Sequence, residues 1–267
     1  MPSESPASSA KALRRDRLLA LLQTSGACTY AEFEKRLGVS SMTVRRDVDE
    51  LARRDALIKT LGGARDAKVP QFLHETAVSS RLGVNRAEKD TIARVACTLV
   101  RPQQTIYVDG GTTCIAFARV LAKTSVPFTA ITNSALVAME LGVSATAKVI
   151  CLGGEYDAQS LCFVGPLAEE AGGKFFVDQA FLSTKAISPA DGTYEVAVGT
   201  LRVKQVMARH AGVRVLLVDG SKFGQRSLCK VLDIDRLDIV VTDATCPKAA
   251  LRTLRRRGRH VVVAGAS

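Results

Sequence analysis

The sequence has no tryptophan, and aromatic residues make up only 5% of it. That poverty argues against a stacking platform for single-stranded nucleic acid and an aromatic cage for a quaternary cation, since both need several rings in one place. Histidine is scarce too: His74, His210 and His260 are the whole set, and none stands at metal-ligand spacing. The seven cysteines (Cys28, Cys97, Cys114, Cys151, Cys162, Cys229 and Cys246) are scattered, and none forms a Cys-x-x-Cys pair. An odd count argues against a fully paired disulfide framework, and the spacing argues against structural zinc. Free thiols in a reducing cytoplasm are expected, with no metal and no cofactor. No window is long and apolar enough to span a membrane, and Met1 to Ala10, read as a loose tail, lacks the apolar stretch of a signal peptide. A cytoplasmic location with no membrane partner is the expectation.

Apolar residues make up 47% of the 267, enough for packed cores in one small and one medium domain. The formal net charge is +11, which suits a polyanionic partner without naming it. Part of the excess lies in Arg252, Arg255, Arg256, Arg257 and Arg259. These form either a second anion-binding patch or the wet face of a last helix, and the wet face is the reading taken from sequence.

The stretch from Gly38 to Arg54 carries the sharpest pattern. Val44, Val48 and Leu51 recur at i, i+4 and i+7, one apolar face of a short helix. Ser41 and Met42 stand at its start, while Thr43, Arg45, Arg46 and Asp49 fall largely off that face. Adjacent arginines beside small hydroxyls near a helix N-terminus suit phosphate and base-edge contacts in a major groove. A solvated basic face is the plain alternative. Upstream, Lys11–Thr24 reads as a helix on Leu18, Leu21 and Leu22, stopped by Ser25-Gly26. Tyr30, Phe33 and Leu37 give a second short helix, broken by Gly38. Three helices with a glycine turn before the third make a helix-turn-helix. Leu57–Leu61 reads as a strand, and Gly62-Gly63 permits the turn of a β-wing, where Lys59 is placed to touch the DNA backbone.

From Arg14 to Ala64 the chain resembles the N-terminal domain of the DeoR family of bacterial transcriptional regulators. The resemblance rests on Val39, Ser40, Thr43, Val44, Arg45, Arg46 and Asp47, followed by Gly62-Gly63-Ala64. It implies that Thr43, Arg45 and Arg46 contact DNA, with Ser41, Met42 and Lys59 completing the candidate face, and that Asp47 orients an arginine or a cap. The wing departs from the family pattern, with Lys59 and Leu61 where Arg and His are usual.

Residues 67–84 read as a linker between a winged domain over 11–66 and a second domain over 85–267. In the second, strands and helices alternate: strands at Thr105–Asp109, Phe128–Thr132, Lys148–Leu152, Gln179–Ser183, Arg214–Asp219, Ile239–Thr242 and His260–Ala264, with helices between several of them. The fold class is therefore a small α+β winged helix-turn-helix domain followed by an α/β domain with a mostly parallel sheet. Ligands bind such sheets at the carboxyl ends of strands. Polar and glycine clusters stand there: Asp109-Gly110-Gly111-Thr112-Thr113, Thr132-Asn133, Gly153-Gly154 and Asp219-Gly220-Ser221-Lys222. Glycines before a helix N-terminus, with threonine hydroxyls, suit a phosphate monoester. Lys222 is a compact charge for it. Asp109 would repel a phosphate and is expected to face a sugar hydroxyl or a backbone amide. Asp191–Glu195 reads as a polar loop reaching over the site. Lys204, on a helix, is a second cationic candidate, though a lone helical lysine is usually solvated.

About Asn85 to Asp243 resembles the DeoR sensor domain, whose fold is similar to ribose-phosphate isomerases and CoA transferases. The resemblance implies an effector site at Asp109 through Thr113, Thr132, Asn133, Gly153, Gly154, Lys204, Asp219, Ser221 and Lys222. Thr200 stands where the family often has an acid, and Glu195 is the candidate substitute.

The function expected is a DNA-binding regulator of carbohydrate catabolism, a repressor, released from double-stranded operator DNA by a phosphorylated sugar or related metabolite. It is expected to work as a homo-oligomer, dimer or tetramer, with the linker passing the change to the DNA-binding heads. The alternative is a sugar-phosphate isomerase-like enzyme with an appended DNA-binding-like domain. Isomerisation needs a carboxylate base, and Ser183, Thr184 and Lys185 stand where the isomerases are expected to carry acids. A third reading, a constitutive DNA-binding protein, predicts no ligand response.

Overall fold

A computed structural model describes residues 6–25, 27–60, 62–66 and 77–265, which divide into two compact units between Thr76 and Ala77. The N-terminal unit runs α1 (Pro6–Ser25), β1 (Ala27–Thr29), α2 (Tyr30–Leu37), α3 (Ser41–Ala52), β2 (Leu57–Thr60) and β3 (Gly63–Asp66). Helix α1 begins inside the stretch expected to be a loose tail. Proline is at home in the first turn of a helix, and the alanines after it propagate one. Thr29 caps α2 in a reciprocal box with Glu32. Gly38 ends α2 in the left-handed region at φ 67°, which turns the chain into α3. The cap of α3 is Ser40, and Ser41 is its first helical residue.

Strand β3 pairs antiparallel with both β1 and β2, so the wing is the outer part of a three-stranded sheet. Leu18, Leu22, Phe33, Val44, Val48, Leu51 and Leu57 form the core of this unit, each at most 5% exposed. The apolar stripe expected for the third helix is thus the face that packs inward.

The C-terminal unit opens with α4 (Val78–Arg81) and α5 (Arg86–Cys97). The linker expected over 67–84 is only partly described, as 67–76 lie outside the described residues. Its remainder is not plain linker: α4 is a helical turn with Val78 buried. Then follow β4 (Thr105–Val108), α6 (Thr112–Leu121), β5 (Phe128–Thr132), α7 (Ala135–Leu141) and β6 (Ala147–Cys151). A hairpin, β7 (Glu155–Asp157) and β8 (Cys162–Val164), leads to α8 (Pro166–Gly172) and β9 (Val177–Leu182). Next come β10 (Ala186–Ser188), β11 (Gly192–Glu195), α9 (Val198–Arg209), β12 (Ala211–Leu217) and β13 (Cys229–Asp233). The chain closes with β14 (Ile239–Asp243), α10 (Lys248–Arg256) and β15 (His260–Ala264).

Seven of these strands form one sheet in the order β15-β14-β12-β9-β4-β5-β6, and every pairing in it is parallel. One apolar core lies on the face covered by α5, α6 and α7, and a second on the face covered by α8, α9 and α10. Such two-sided cover is what lets a parallel sheet run on near-continuous apolar strands. The order reverses between β4 and β9: from β4 the chain winds outward through β5 and β6, then returns to β9 and winds the other way. Helices diverge at such a point and leave a crevice at the strands' carboxyl ends.

The segment expected to be a polar loop at Asp191–Glu195 is instead largely strand β11, paired antiparallel with β10 and β13. No helix among the described residues is long and apolar enough to cross a membrane.

Candidate functional site: a basic helix face and a strand-end charge cluster

On α3 the buried side is fixed by Val44, Val48 and Leu51 and by Asp47, itself 1% exposed. Asp47 accepts from Arg14 Nε at 2.6 Å and from Arg15 Nε at 2.9 Å, tying α1 to α3. Burial raises its carboxyl pKa, but the two guanidinium groups outweigh that and hold it below the usual range. The opposite side carries exposed Met42, Arg45 and Arg46, with Ser41 and Thr43 half-buried beside them. Thr43 Oγ1 and Ser40 Oγ lie 3.1 Å apart. The Arg45 guanidinium sits 4.5 Å from the centre of the Tyr30 ring. A cation over an aromatic face is held without being neutralised, so Arg45 is oriented yet remains charged for a ligand. Lys59 is differently placed: its Nζ is 2.5 Å from Asp49 Oδ1, a bond from the wing to α3. Sequence reasoning missed this pair, because the turn between α3 and β2 that sets Lys59 against Asp49 carries no mark of which side chains meet.

In the C-terminal unit the Asp109 carboxylate, 5% exposed, stands at the carboxyl end of β4 beside that of β9. Asp109 Oδ2 accepts from the Ser183 amide at 3.0 Å and from the Ser183 hydroxyl. Lys204 Nζ lies 3.1 Å from the same oxygen, 2.7 Å from Glu195 Oε1 and 2.9 Å from the Ser183 carbonyl. Lys204 is 4% exposed, so the solvated alternative does not hold for it. Burial disfavours its charge, yet Asp109 and Glu195 together raise its pKa well above the ordinary lysine value. Glu195 comes from β11, which is why a strand rather than a loop stands beside the cluster.

The Gly110-Gly111 turn joins β4 to α6 and packs against its surroundings without room for a side chain. A Cβ on Gly111 would overlap Ser183 Oγ, and one on Gly110 would overlap Cys162 Sγ. Thr112 and Thr113 begin α6 and are 7% and 6% exposed. Thr132 and Asn133 are employed in the frame: Thr132 Oγ1 donates to the Val108 carbonyl at 2.7 Å, and Asn133 Oδ1 accepts from Tyr107 Oη at 2.7 Å. The Asn133 amide also donates to the Phe163 carbonyl at 3.0 Å. Gly153 and Gly154 follow β6 at the sheet edge, where a Cβ on Gly154 would meet the Val164 carbonyl at 2.6 Å.

After β12 the Asp219 carboxylate, 1% exposed, accepts through Oδ1 from the Ser221 amide at 3.1 Å, from the Ser221 hydroxyl and from Asn85 Nδ2 at 3.0 Å. Its Oδ2 is buried without a hydrogen-bond partner. Lys222 is half-buried, and burial lowers its pKa despite Asp219. Lys89 on α5 joins this group. It is 4% exposed and donates to the carbonyls of Val84 at 2.5 Å and Arg81 at 2.9 Å. Burial lowers its pKa to about 8; the Asp219 carboxylate opposes the shift, and Lys222 and Arg81 add to it. Sequence reasoning missed Lys89 and Asn85. A lysine in the polar part of a helical stripe has no mark of burial until α4 folds its carbonyls over it. The cluster therefore holds three lysines and three carboxylates around strand ends, able to meet both an anion and hydroxyl groups.

Residues 14–68 match the model of the DeoR-like helix-turn-helix domain, and residues 84–244 match that of the DeoR C-terminal sensor domain. The lactose phosphotransferase system repressor of Lactococcus lactis subsp. lactis is 32% identical over 87% of this chain and 91% of that protein. The glycerol-3-phosphate regulon repressor of Escherichia coli K12 is 27% identical over 90% of this chain and 94% of that protein. Among solved structures, ribose 5-phosphate isomerase A from Neisseria gonorrhoeae is 18% identical, with a TM-score of 0.39 over 52% of this chain and 53% of that one. Two matched domains in the family's order, and full-length relatives at this identity, make the chain a member of the DeoR family of DNA-binding transcriptional regulators.

Proposed function

We propose that this regulator represses a carbohydrate-catabolism operon and leaves its operator when a phosphorylated sugar or related metabolite occupies the strand-end cluster. The observation that carries the ligand half is the group of buried Lys89, half-buried Lys222 and buried Asp219, whose Oδ2 lacks a donor. Two lysines attract a phosphate, and an orphaned carboxylate oxygen accepts a sugar hydroxyl. In this reading Asp109, Gly110, Gly111, Thr112 and Thr113 line the other side of the same crevice, and Glu195 and Lys204 hold Asp109 in place. Gly153 and Gly154 shape the rim, while Thr132 and Asn133 set the loop's position. Relatives named as repressors of the lactose phosphotransferase system and of the glycerol-3-phosphate regulon support the substrate class.

The DNA half rests on Met42, Thr43, Arg45 and Arg46 on α3, started by Ser41. Arg45 and Arg46 supply phosphate or guanine contacts, and Lys59 reaches the backbone from the wing once it leaves Asp49. A homo-oligomer presents two such heads to paired half-sites in the cytoplasm. The ligand alters DNA affinity only by binding two states of the protein unequally.

The enzymic alternative needs a carboxylate free to move a proton. Of the three carboxylates, Asp109 and Glu195 are bound to Lys204, and Asp219 is held through Oδ1 by Ser221 and Asn85, which favours a binding site without turnover. The test is a pair of variants. Arg45→Ala with Arg46→Ala abolishes operator binding and leaves thermal shifts by sugar phosphates intact. Lys222→Ala does the reverse. Turnover of ribose 5-phosphate or another aldose phosphate by the purified chain would overturn the non-catalytic reading.

A further inference from the structure

From Ala244 to the end the sequence has no aspartate or glutamate, but it has Lys248, Arg252, Arg255, Arg256, Arg257 and Arg259. The fold sorts these cations. Arg257 is bound to Asp235 at 2.6 Å and 3.0 Å, and Arg259 donates to the carbonyls of Asp235 and Leu237, so both serve the turn before β14. Lys248, Arg252, Arg255 and Arg256 lie on α10 at i, i+4, i+7 and i+8, one face of the helix. The opposite face, Ala250 and Leu254, is buried against the sheet. All four cations are exposed, and among the described residues no carboxylate is paired with any of them. Arg256 donates to Thr253 Oγ1 at 3.3 Å.

A wet helix face normally mixes both signs, because like charges at i, i+4 repel. The helix dipole accounts for Arg255 and Arg256 in the last turn but opposes Lys248 in the first. The stripe from Lys248 to Arg256 is roughly 12 Å long and carries four uncompensated charges, the pattern that tracks a phosphodiester backbone. We infer that this face of α10 is a second DNA-backbone contact surface, separate from the α3 face and indifferent to base sequence. Guanidinium groups favour phosphate in bidentate geometry, and a chain that already works on duplex DNA meets that polyanion first.

The experiment uses the full chain and a random-sequence duplex of about 30 bp, followed by fluorescence anisotropy across roughly 50 to 200 mM KCl. Arg252→Gln, Arg255→Gln and Arg256→Gln together are expected to weaken binding about tenfold at the low-salt end. They are also expected to lessen the slope of log affinity against log salt by about 2 to 3, since each phosphate contact contributes about 0.9. These side chains are exposed, so an unchanged melting temperature confirms that the variant is folded. A control removes equal charge elsewhere on the unit, at exposed Arg101, Lys123 and Lys148. An unchanged slope, or an equal loss in the control, overturns the inference. So does loss of binding to anionic lipid vesicles with duplex binding intact, which would make the partner a membrane surface. Arg45→Ala with Arg46→Ala, run alongside, separates failure of this inference from failure of the α3 assignment.

Discussion

Lys204 Nζ stands 3.1 Å from Asp109 Oδ2, and both side chains are about 5% exposed. Asp109 follows β4 and Lys204 lies on α9; both bond to Ser183 after β9, so the pair ties together the ends of the two strands at which the sheet reverses its order, with Glu195 closing it from a third side. Lys204→Met would leave two carboxylates buried together without a counter-charge. Its expected cost is about 3–5 kcal/mol, the usual price of breaking a buried pair from one side. Urea unfolding of the full chain, followed by a probe in the C-terminal unit, measures it. A loss below about 1 kcal/mol would mean the cluster is more solvated than its burial implies.

On the proposed reading, Lys89 is expected to give the sugar-phosphate response a pH dependence. Its pKa of about 8 lies below the ordinary value of 10.5, so its charge is present at neutral pH and fades as pH rises through about 8. Effector affinity is therefore expected to fall between about pH 7 and pH 9, and to lose that dependence in Lys89→Met. The stability sign is opposite. The unfolded chain binds the proton more tightly, so this group's contribution to stability rises with pH between the two values. Calorimetric titration of the inducing sugar phosphate at several pH values checks the first expectation.

Asp47 makes the N-terminal unit acid-sensitive. Its folded pKa is depressed below 3.8, so its contribution is present above that value and lost as pH falls through the folded one. Asp47→Ala removes two charge-assisted bonds and is expected to cost on the order of 2–3 kcal/mol, allowing for the partial exposure of Arg14 and Arg15. DNA affinity should fall with it. Thermal melting of the variant, set against its binding to random-sequence duplex, shows whether the two losses go together.

Tyr30 tests the orientation of Arg45. Tyr30→Phe keeps the ring and removes a buried hydroxyl that has no hydrogen-bond partner, so DNA affinity and stability should hold or improve. Tyr30→Leu removes the aromatic face and should weaken DNA binding about two- to fivefold, the size of an exposed cation–π contact. Equal affinity in both variants would assign Tyr30 to the core alone.

Local patterns carried most of the architecture into the sequence. The stripe Val44, Val48 and Leu51 foretold both the third helix and its buried face, and the apolar runs at Phe128–Thr132 and Ile239–Thr242 foretold strands. What stayed hidden depends on distant pairing. Gly192–Glu195 has turn chemistry before it; one strand partner, Ala186–Ser188, lies just across that turn, and the other begins only at Cys229. Lys204 and Lys89 look like ordinary helical lysines until Asp109, Glu195 and the carbonyls of Arg81 and Val84 are brought to them. Thr132 and Asn133 stand at a strand end as expected, but only the neighbouring strand and hairpin reveal that their hydrogen bonds are spent on the frame.

On the proposed function, the strand-end cluster governs what α3 does on DNA. The direct measurement is the affinity of the full chain for a duplex selected by that chain from a random library, with and without a panel of phosphorylated sugars. The account predicts that at least one of them weakens binding by about tenfold or more, a coupling of about 1.4 kcal/mol, and that Lys222→Ala binds the duplex normally but no longer responds. A panel that leaves the wild-type affinity unchanged, or that releases the Lys222→Ala protein equally well, would contradict it.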